Sequence, residues 1–287
     1  MFKSLSAGAI GVGGTTEEIA VLAAAHGFQS MDFNAAEAAD LADAGELDSL
    51  RALYDRHALR VGAMGLPVNF RGEEEAFQHD LAGLGRQAAA AAAMGCDRCA
   101  TWLLPASDEL TFEENFEFHR RRLRACAEVL DDHGLRLGLE FVGPKTSRVG
   151  KKHEFLYDMK GMLGLNEAIG TDNMGLLLDC WHWYCTGGTA DDILALAPEQ
   201  VVLVHVNDAP AGIPVDEQMD TVRALPGETG VIDIAAFLGA LERIGYDGPV
   251  MAEPFSRTVA ELPPDEAVRI TGESLDTIFA TAGVAPL

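Results

Sequence analysis

Four side chains that could bind a metal ion stand directly after short apolar runs of the sequence. The runs occupy positions 135–139, 175–178, 201–204 and 249–252, and the residues that follow them are Glu140, Asp179, His205 and Glu253. Carboxylates at such positions lose hydration and repel one another unless a cation compensates. Three carboxylates and one imidazole suit one divalent ion, with Mn²⁺ expected first and Mg²⁺, Co²⁺ or Zn²⁺ as alternatives. Such an ion acts as a Lewis acid, and a site of this kind supports proton transfer at a carbon beside a carbonyl.

Each of these residues alone could instead cap a helix or pair with an arginine, but all four at successive run ends favour a metal site. Glu140 and Glu253 come from opposite sides of the group, so their free oxygens could flank a substrate and act as general base and acid. His182, three positions after Asp179, could donate to a developing oxyanion or bind a hydroxyl group. A histidine between two tryptophans is otherwise often a packed core residue.

Other side chains near the same strand ends are candidates for substrate binding. Lys145 follows the Glu140 run and could bind a substrate oxygen, although a solvated loop lysine fits equally well. Asp208 and Arg223 lie in or beside a long segment at 207–231, which could form a lid or a pocket wall. They could contact substrate, or pair with each other and fix the loop. Aromatic side chains could form an apolar floor under a sugar ring or simply pack, namely Trp102, Trp181, Trp183 and Phe255.

A repeated unit along the chain predicts the elements that would position these residues. A helix-like stretch closes on a glycine, which supplies the left-handed cap, and an apolar run follows. The runs after such glycines predict strands at 28–33, 99–104, 135–141, 174–178 and 250–253, and further runs add 5–10, 59–66 and 201–206. Helical patterns occupy 116–130 and 232–243, and Thr15 with Glu18 predicts a capping box at the start of the first helix.

Eight strand–helix alternations in 287 residues predict an α/β fold, a (β/α)8 TIM barrel that forms a single domain over residues 1–287. The carboxyl ends of its strands share one rim, where the ends of strands five to eight would bring the four candidate ligands together. The alternative is an open doubly wound sheet, which would normally carry a glycine-rich phosphate fingerprint after its first strand. The glycines at 11–14 lack that spacing and are interpreted as a flexible turn.

Composition excludes several classes of function. The formal net charge of −24 disfavours nucleic acid as a partner, because phosphate contacts need a cationic face. No apolar run approaches the roughly 20 residues of a membrane span, and the first residues lack the regions of a signal peptide, so we expect a cytoplasmic protein with no membrane partner. The five cysteines are interpreted as reduced thiols, and the spacing of Cys96 and Cys99 as chance, because the second lies in a predicted strand.

The chain resembles the xylose isomerase-like family of sugar isomerases and epimerases, most specifically in the segments 204–210, 223–227, 230–233, 245–248 and 253–255. The order of an H-[IV]-x-D segment, a P-G-[DE]-G-x-[IV]-D loop and a Y-D-G-x strand is most similar to the inosose, or keto-inositol, isomerase branch. Within the loop, positions 226–230 read Pro-Gly-Glu-Thr-Gly, with one extra residue.

This resemblance implies that Glu140, Asp179, His205 and Glu253 are metal ligands, that the two glutamates exchange protons with substrate, and that His182 contacts substrate. In the ketose 3-epimerase branch an arginine follows the metal histidine by six positions, whereas position 211 here is Ala. The related endonuclease IV branch uses several more histidines around three zinc ions, so DNA repair is disfavoured. Relatives commonly pair, so a homo-oligomer is a further expectation.

The function expected from these residues is metal-dependent isomerisation or epimerisation of a small keto-sugar or keto-inositol through a stabilised enediolate. An alternative on the same site is a lyase, either an inosose dehydratase or a 3-keto-glycoside β-eliminating enzyme, because its first proton transfer is identical. A third alternative is a sugar-binding or assembly protein without activity. The sequence shows no cluster of arginine and glycine typical of a phosphate cradle, which favours an unphosphorylated substrate.

Overall fold

The computed structural model describes residues 1–285, and its strands alternate with helices along the whole of that range. The strands are β1 Phe2–Leu5, β2 Ser30–Met31, β3 Arg60–Val61, β4 Met64–Gly65, β5 Arg98–Leu103, β6 Ala106–Ser107, β7 Arg136–Phe141, β8 His153–Glu154, β9 Met174–Asp179, β10 Val201–Val206 and β11 Pro249–Ala252. The helices are α1 Thr16–Ala25, α2 Ala35–Ala44, α3 Leu47–Arg56, α4 Glu74–Ala93, α5 Phe112–Asp131, α6 Met159–Ile169, α7 Cys180–Cys185, α8 Ala190–Leu194, α9 Ile234–Ile244, α10 Arg257–Ala260 and α11 Pro264–Ala282.

Nine of the strands form one parallel sheet that closes into an eight-stranded barrel. Their order is β3-β2-β1-β11-β10-β9-β7-β5-β4, and the two outermost strands are separated in the chain only by Gly62 and Ala63. They are therefore two halves of one interrupted strand, which joins the ends of the sheet. At the interruption Gly62 donates to the carbonyl of Met31, and a Cβ on Gly62 would lie 2.3 Å from that oxygen, so only glycine fits. The predicted (β/α)8 barrel is confirmed.

The first strand was predicted at 5–10, and this prediction is wrong. The structure places β1 at Phe2–Leu5, paired with β11 and β2, while residues Gly8–Ile10 form a 3₁₀ turn that ends at Gly11. Lys3 conceals the strand in the sequence, because its charge interrupts the apolar pattern. In the fold its ammonium group is buried and pairs with Asp276 of α11, which makes a lysine tolerable inside the barrel wall.

The barrel interior contains its own small apolar cluster below the carboxyl-terminal rim, distinct from the larger core between strands and helices. Its members are Ala63, Ala100, Leu177, Leu203 and Met251. Such inward-facing layers fill the centre of TIM barrels, so the site above them has a packed floor rather than an open channel.

Helix starts follow their capping residues. Thr15 and Glu18 form the predicted capping box of α1. The helix predicted at 116–130 begins earlier, at Phe112, because Thr111 and Glu114 form a second capping box.

Among the described helices none combines the length and apolarity that a membrane span requires. Cys96 and Cys99 are free thiols, and Cys99 lies in β5 as expected.

The segment between β10 and α9 is the longest connection on the rim. It contains the 3₁₀ turn Val215–Glu217 and a two-residue antiparallel bridge between Asp208 and Ala224. A second rim turn, Lys145–Ser147, contacts it, because Thr146 Oγ1 donates to the carbonyl of Gln218 at 2.7 Å. The two loops together form one wall of the rim.

Candidate metal centre

The barrel brings the four predicted metal ligands together. Glu140 lies in β7, Asp179 and His205 are register partners at the ends of β9 and β10, and Glu253 directly follows β11. One possible ligand atom from each of the four residues lies within 4.8 Å of all the others. The strand ends therefore achieve the convergence that their positions in the sequence predicted.

Two buried atoms of this cluster lack a hydrogen-bond partner in the described part of the chain, Glu140 Oε1 and His205 Nδ1. They lie 3.8 Å apart, and His205 Nδ1 lies 3.5 Å from Glu253 Oε2. A buried acceptor atom without a hydrogen bond costs free energy of folding. A divalent cation would bind the oxygen and the nitrogen together and remove this cost. The donor set, three carboxylates and one imidazole, fits a divalent metal ion.

The protonation states of the cluster are those of a site that prefers a cation. Burial, and then the charge of Glu253, raise the pKa of Glu140 well above its usual range. Burial disfavours the His205 cation, but Glu253, Glu140 and Asp179 outweigh it and raise the pKa of His205 to about 9. Burial also opposes ionisation of Glu253, yet His205 and Arg223 lower the pKa of that carboxyl. Without metal, protons supply part of the missing positive charge.

Arg223 supplies the rest of the positive charge that the carboxylates need in the absence of metal. Its side chain is 1% exposed, and Nη1 donates to Asp179 Oδ2 at 2.8 Å and to Glu253 Oε2 at 3.0 Å. Nη2 donates to Asp220 at 2.8 Å, and the guanidinium lies over the ring of Phe255. Arg223 was predicted to contact substrate or pair with Asp208. The pair with Asp208 is not formed, and Arg223 instead reaches the candidate ligands directly.

Asn207 is absent from the sequence-based prediction but organises the same group. Its side-chain Nδ2 donates to both carboxylate oxygens of Asp179, at 3.0 and 3.1 Å, and its side-chain Oδ1 accepts from the backbone N–H of Glu253. Partners of this kind orient metal ligands and tune their basicity. The sequence could have predicted the position of Asn207, because residues 205 and 207 of an extended chain point to the same face as each other.

His182 lies beside the cluster in a defined tautomer. Its Nδ1 accepts a hydrogen bond from the backbone N–H of Gly143 at 3.2 Å, so the ring hydrogen is on Nε2. Burial lowers the pKa of His182 to about 3, so the ring is neutral. Nε2 lies 3.7 Å from Glu140 Oε1 and 3.8 Å from Asp220 Oδ1. A Cβ at Gly143 would lie 2.5 Å from the His182 carbonyl, so this close approach also requires glycine.

The other predicted substrate-binding residues occupy different positions. Asp208 is fully buried, and its carboxylate accepts hydrogen bonds from the backbone N–H groups of residues 209 and 229–232, so it organises its loop. Lys145 is half-exposed and pairs with Asp216 across the two rim loops at 2.6 Å. Trp102 is 45% exposed and is the register partner of Glu140.

A pocket with a volume of about 470 Å³ opens above Glu140, His205 and Glu253 on the carboxyl-terminal face, and Trp102 lines it. Asp32 forms another part of the wall and accepts a hydrogen bond from Ser6 Oγ at 2.6 Å. Asp32 is exposed to solvent in the pocket. The protein atoms around the pocket restrict the hydration of its carboxylate, and this desolvation raises the pKa of Asp32 to about 6, although the Ser6 hydrogen bond lowers it. Asp32 was not predicted, although it directly follows β2 as the candidate ligands follow their strands.

Curated proteins match part of the chain. An inosose isomerase of Halalkalibacterium halodurans is 29% identical over 150 residues, which are 51% of this chain and 49% of that protein. A 3-dehydroshikimate dehydratase of Pseudomonas aeruginosa is 32% identical over 135 residues, 47% of this chain and 20% of that protein. The chain spans about half the length of the inosose isomerase and a smaller share of the dehydratase.

Similarity over the whole fold is more extensive. The structure of a xylose isomerase domain protein from Alicyclobacillus acidocaldarius superimposes with a TM-score of 0.88 and 30% identity, covering 99% of each chain. The model of the family described as xylose isomerase-like TIM barrel matches residues 20–278. Both matches include the strands that carry Glu140, Asp179, His205 and Glu253. The chain belongs to the xylose isomerase-like TIM barrel family.

Proposed function

We propose that this protein is an enzyme, a divalent-metal-dependent isomerase or epimerase that acts on a small keto-sugar or keto-inositol. The observation that carries the proposal is the pair of unpartnered buried atoms, Glu140 Oε1 and His205 Nδ1, beneath a pocket that opens to solvent. The match to an inosose isomerase supports the substrate class. Glu140, Asp179, His205 and Glu253 would hold the ion, and Mn²⁺ is the first choice because oxygen ligands outnumber nitrogen in the set.

When bound, the ion would supply Lewis-acid stabilisation of negative charge on substrate oxygens. The two glutamates would move the proton. Glu253 has 19% of its side chain exposed and a lowered pKa, so it is placed to remove a proton from a carbon beside the carbonyl. Glu140 lies on the other side of the group and would return a proton, taken up from solvent, to a neighbouring carbon or to the opposite face.

His182 would stabilise the oxyanion that forms when the carbon is deprotonated. Because its ring is neutral with hydrogen on Nε2, that N–H can donate a hydrogen bond to the oxyanion while Nδ1 accepts from Gly143. The Gly143 N–H fixes the ring orientation, so the donor is positioned before substrate arrives. Arg223, beside it at 3.4 Å, adds positive charge on the same side.

A lyase is the second candidate, and one observation favours it. The dehydratase of Pseudomonas aeruginosa is 32% identical to this chain over its matched region. After the same first proton transfer, elimination needs an acid that protonates a departing hydroxyl group. Asp32 is a pocket carboxyl whose pKa of about 6 keeps a proton available near neutral pH.

Deuterium exchange tests the proposal. The Mn²⁺-loaded protein would be incubated in deuterated water with keto-inositols, ketoses and 3-keto-glycosides. We expect deuterium at one carbon beside the carbonyl and a product of unchanged mass apart from that label. Loss of water or of an aglycone would assign the lyase instead. Binding of these compounds with no exchange in any of them would leave a sugar-binding protein and contradict both candidates.

A further inference from the structure

Arg71 carries a charge that no acidic side chain neutralises. Within residues 1–285, only Arg60, Arg71 and Arg243 among the arginines form no ion pair. Arg60 and Arg243 are exposed and therefore hydrated, whereas Arg71 is partly buried. Acidic groups are not scarce in this chain, which has 45 aspartates and glutamates. The absence of a partner for Arg71 therefore needs its own explanation.

The donors of this guanidinium are largely unused. Nε and Nη2 are shielded from water and have no hydrogen-bond partner in the described chain. Nη1 is neither shielded nor hydrogen-bonded there, so it is the nitrogen that meets solvent. Burial lowers the pKa of Arg71 to about 10, which still leaves the group charged at neutral pH. A desolvated cation with one donor nitrogen open to solvent is ready to receive an anion.

Arg71 lies next to the pocket of the candidate metal centre. It belongs to the loop after β4, on the carboxyl-terminal face of the barrel. Its guanidinium carbon lies 4.1 Å from the ring centroid of Trp102 and 4.4 Å from that of Phe70. Trp102 lines the pocket together with Glu140, so a single aromatic ring separates the cation from the pocket.

Stacking on two aromatic rings accounts for part of this arrangement. Cation–π contacts use the face of the guanidinium and compensate some of its lost hydration. They leave its N–H donors, which point outwards in the plane of the group, without acceptors. The rings therefore fix the orientation of Arg71 while Nη1, its exposed nitrogen, remains available to an anion.

We propose that Arg71 binds a carboxylate of the substrate, at the end of the molecule remote from the metal ligands, with Trp102 against the substrate ring. This inference rests on the proposed function and narrows its substrate class to keto-polyols that carry a carboxylate. The exposed Nη1 would donate to one carboxylate oxygen in a charge-assisted contact. A phosphate ester is disfavoured, because no lysine or arginine is among the residues that line the described pocket and Arg71 beside it exposes a single donor nitrogen.

The test compares two probes that differ by one charge, shikimate and its neutral methyl ester, with inorganic phosphate as a third. Binding to the Mn²⁺-loaded protein would be measured by calorimetry and by Trp fluorescence. We expect shikimate to bind about tenfold more tightly than the ester, in keeping with one charge-assisted contact. Arg71→Met should remove this preference and leave the affinity of the ester within about twofold, because the methionine side chain still covers Trp102.

Arg60→Met is the matched control, since Arg60 also lies over an aromatic ring, that of Phe2, without an ion pair. It should keep the preference for shikimate. Equal loss of affinity for both probes in Arg71→Met would show that Arg71 only supports Trp102, and tighter binding of phosphate would replace the carboxylate; either result overturns the proposal.

The outcomes separate this inference from the proposed function. Deuterium exchange with neutral keto-polyols, together with no charge preference in the wild-type protein, would reject the carboxylate site and leave the isomerase proposal standing. A charge preference that depends on Arg71, with no exchange in any substrate, would support the carboxylate site and reject the isomerase proposal.

Discussion

Arg223 donates a hydrogen bond from Nη1 to Oδ2 of Asp179 over 2.8 Å, and the two side chains are 1% and 0% exposed. The same nitrogen also donates to Glu253, so one cation joins two candidate metal ligands. Desolvation offsets much of the attraction within a buried ion pair, but removal of one partner leaves an uncompensated charge. The contact therefore matters most to the metal-free protein.

Arg223→Gln should destabilise the metal-free protein by about 3–5 kcal/mol, because Asp179 would remain buried without its cation. Mn²⁺ should restore much of this loss, since the ion would replace the missing charge. Urea unfolding with and without Mn²⁺ measures both effects. The control is Arg257→Gln, which removes an exposed pair with Glu261 and should change stability by less than about 0.5 kcal/mol. An unfolding midpoint equal to that of the wild type without metal would contradict this role of Arg223.

Asp208→Asn should loosen the loop between β10 and α9. The carboxylate accepts from the backbone N–H groups of residues 209 and 229–232, and an amide offers only one acceptor oxygen in its place. We expect a loss of about 2–4 kcal/mol and faster hydrogen exchange at those amides. Asp216→Asn, which breaks only the exposed pair with Lys145, should leave exchange there unchanged. Similar exchange in both variants would show that Asp208 does not organise the loop.

Metal affinity should rise with pH up to about 9. The pKa of His205 is about 9 because neighbouring carboxylates outweigh its burial, so below that pH the metal-free ring is protonated and cannot ligate. Binding must release this proton, and the raised pKa of Glu140 adds a second one. Affinity then gains up to about tenfold per pH unit for each proton released. Calorimetry in two buffers of different ionisation enthalpy measures the protons; constant affinity between pH 6 and pH 9 would contradict the assignment.

His182→Gln should lower kcat by about 10²–10³, because it removes a positioned donor to the oxyanion. Mn²⁺ affinity should stay within about twofold, since His182 is not among the candidate ligands. The ring remains neutral above its pKa of about 3, so it should contribute no step to the pH profile between 5 and 8. His79→Gln, at an exposed helix position, is the matched control. Loss of metal binding in His182→Gln would instead make this residue a ligand.

The four candidate ligands were predictable because a parallel barrel places all strand ends on one rim. Glu140, Asp179, His205 and Glu253 each follow an apolar run, and that local pattern is sufficient to predict their convergence. The same pattern at Asp32 was overlooked, because β2 is only two residues long and its run is weakly apolar.

Contacts made by long loops were not predictable in the same way. Arg223 is 44 positions from Asp179, and only the folded path of the loop brings them together. Asp208 was expected either to contact substrate or to pair with this arginine, but backbone N–H groups of its own loop satisfy it instead. The first strand was misplaced for another reason, since Lys3 is buried by a partner near the other end of the chain, Asp276. A polar residue with a distant partner carries no local signal.

Diffraction from crystals soaked in Mn²⁺, recorded at a wavelength where manganese scatters anomalously, tests the central claim most directly. We predict one anomalous peak within roughly 2.0–2.3 Å of donor atoms from Glu140, Asp179, His205 and Glu253, and no peak there in His205→Ala. A peak elsewhere, or none between these four side chains at saturating Mn²⁺, would contradict the metal centre and the chemistry proposed for it.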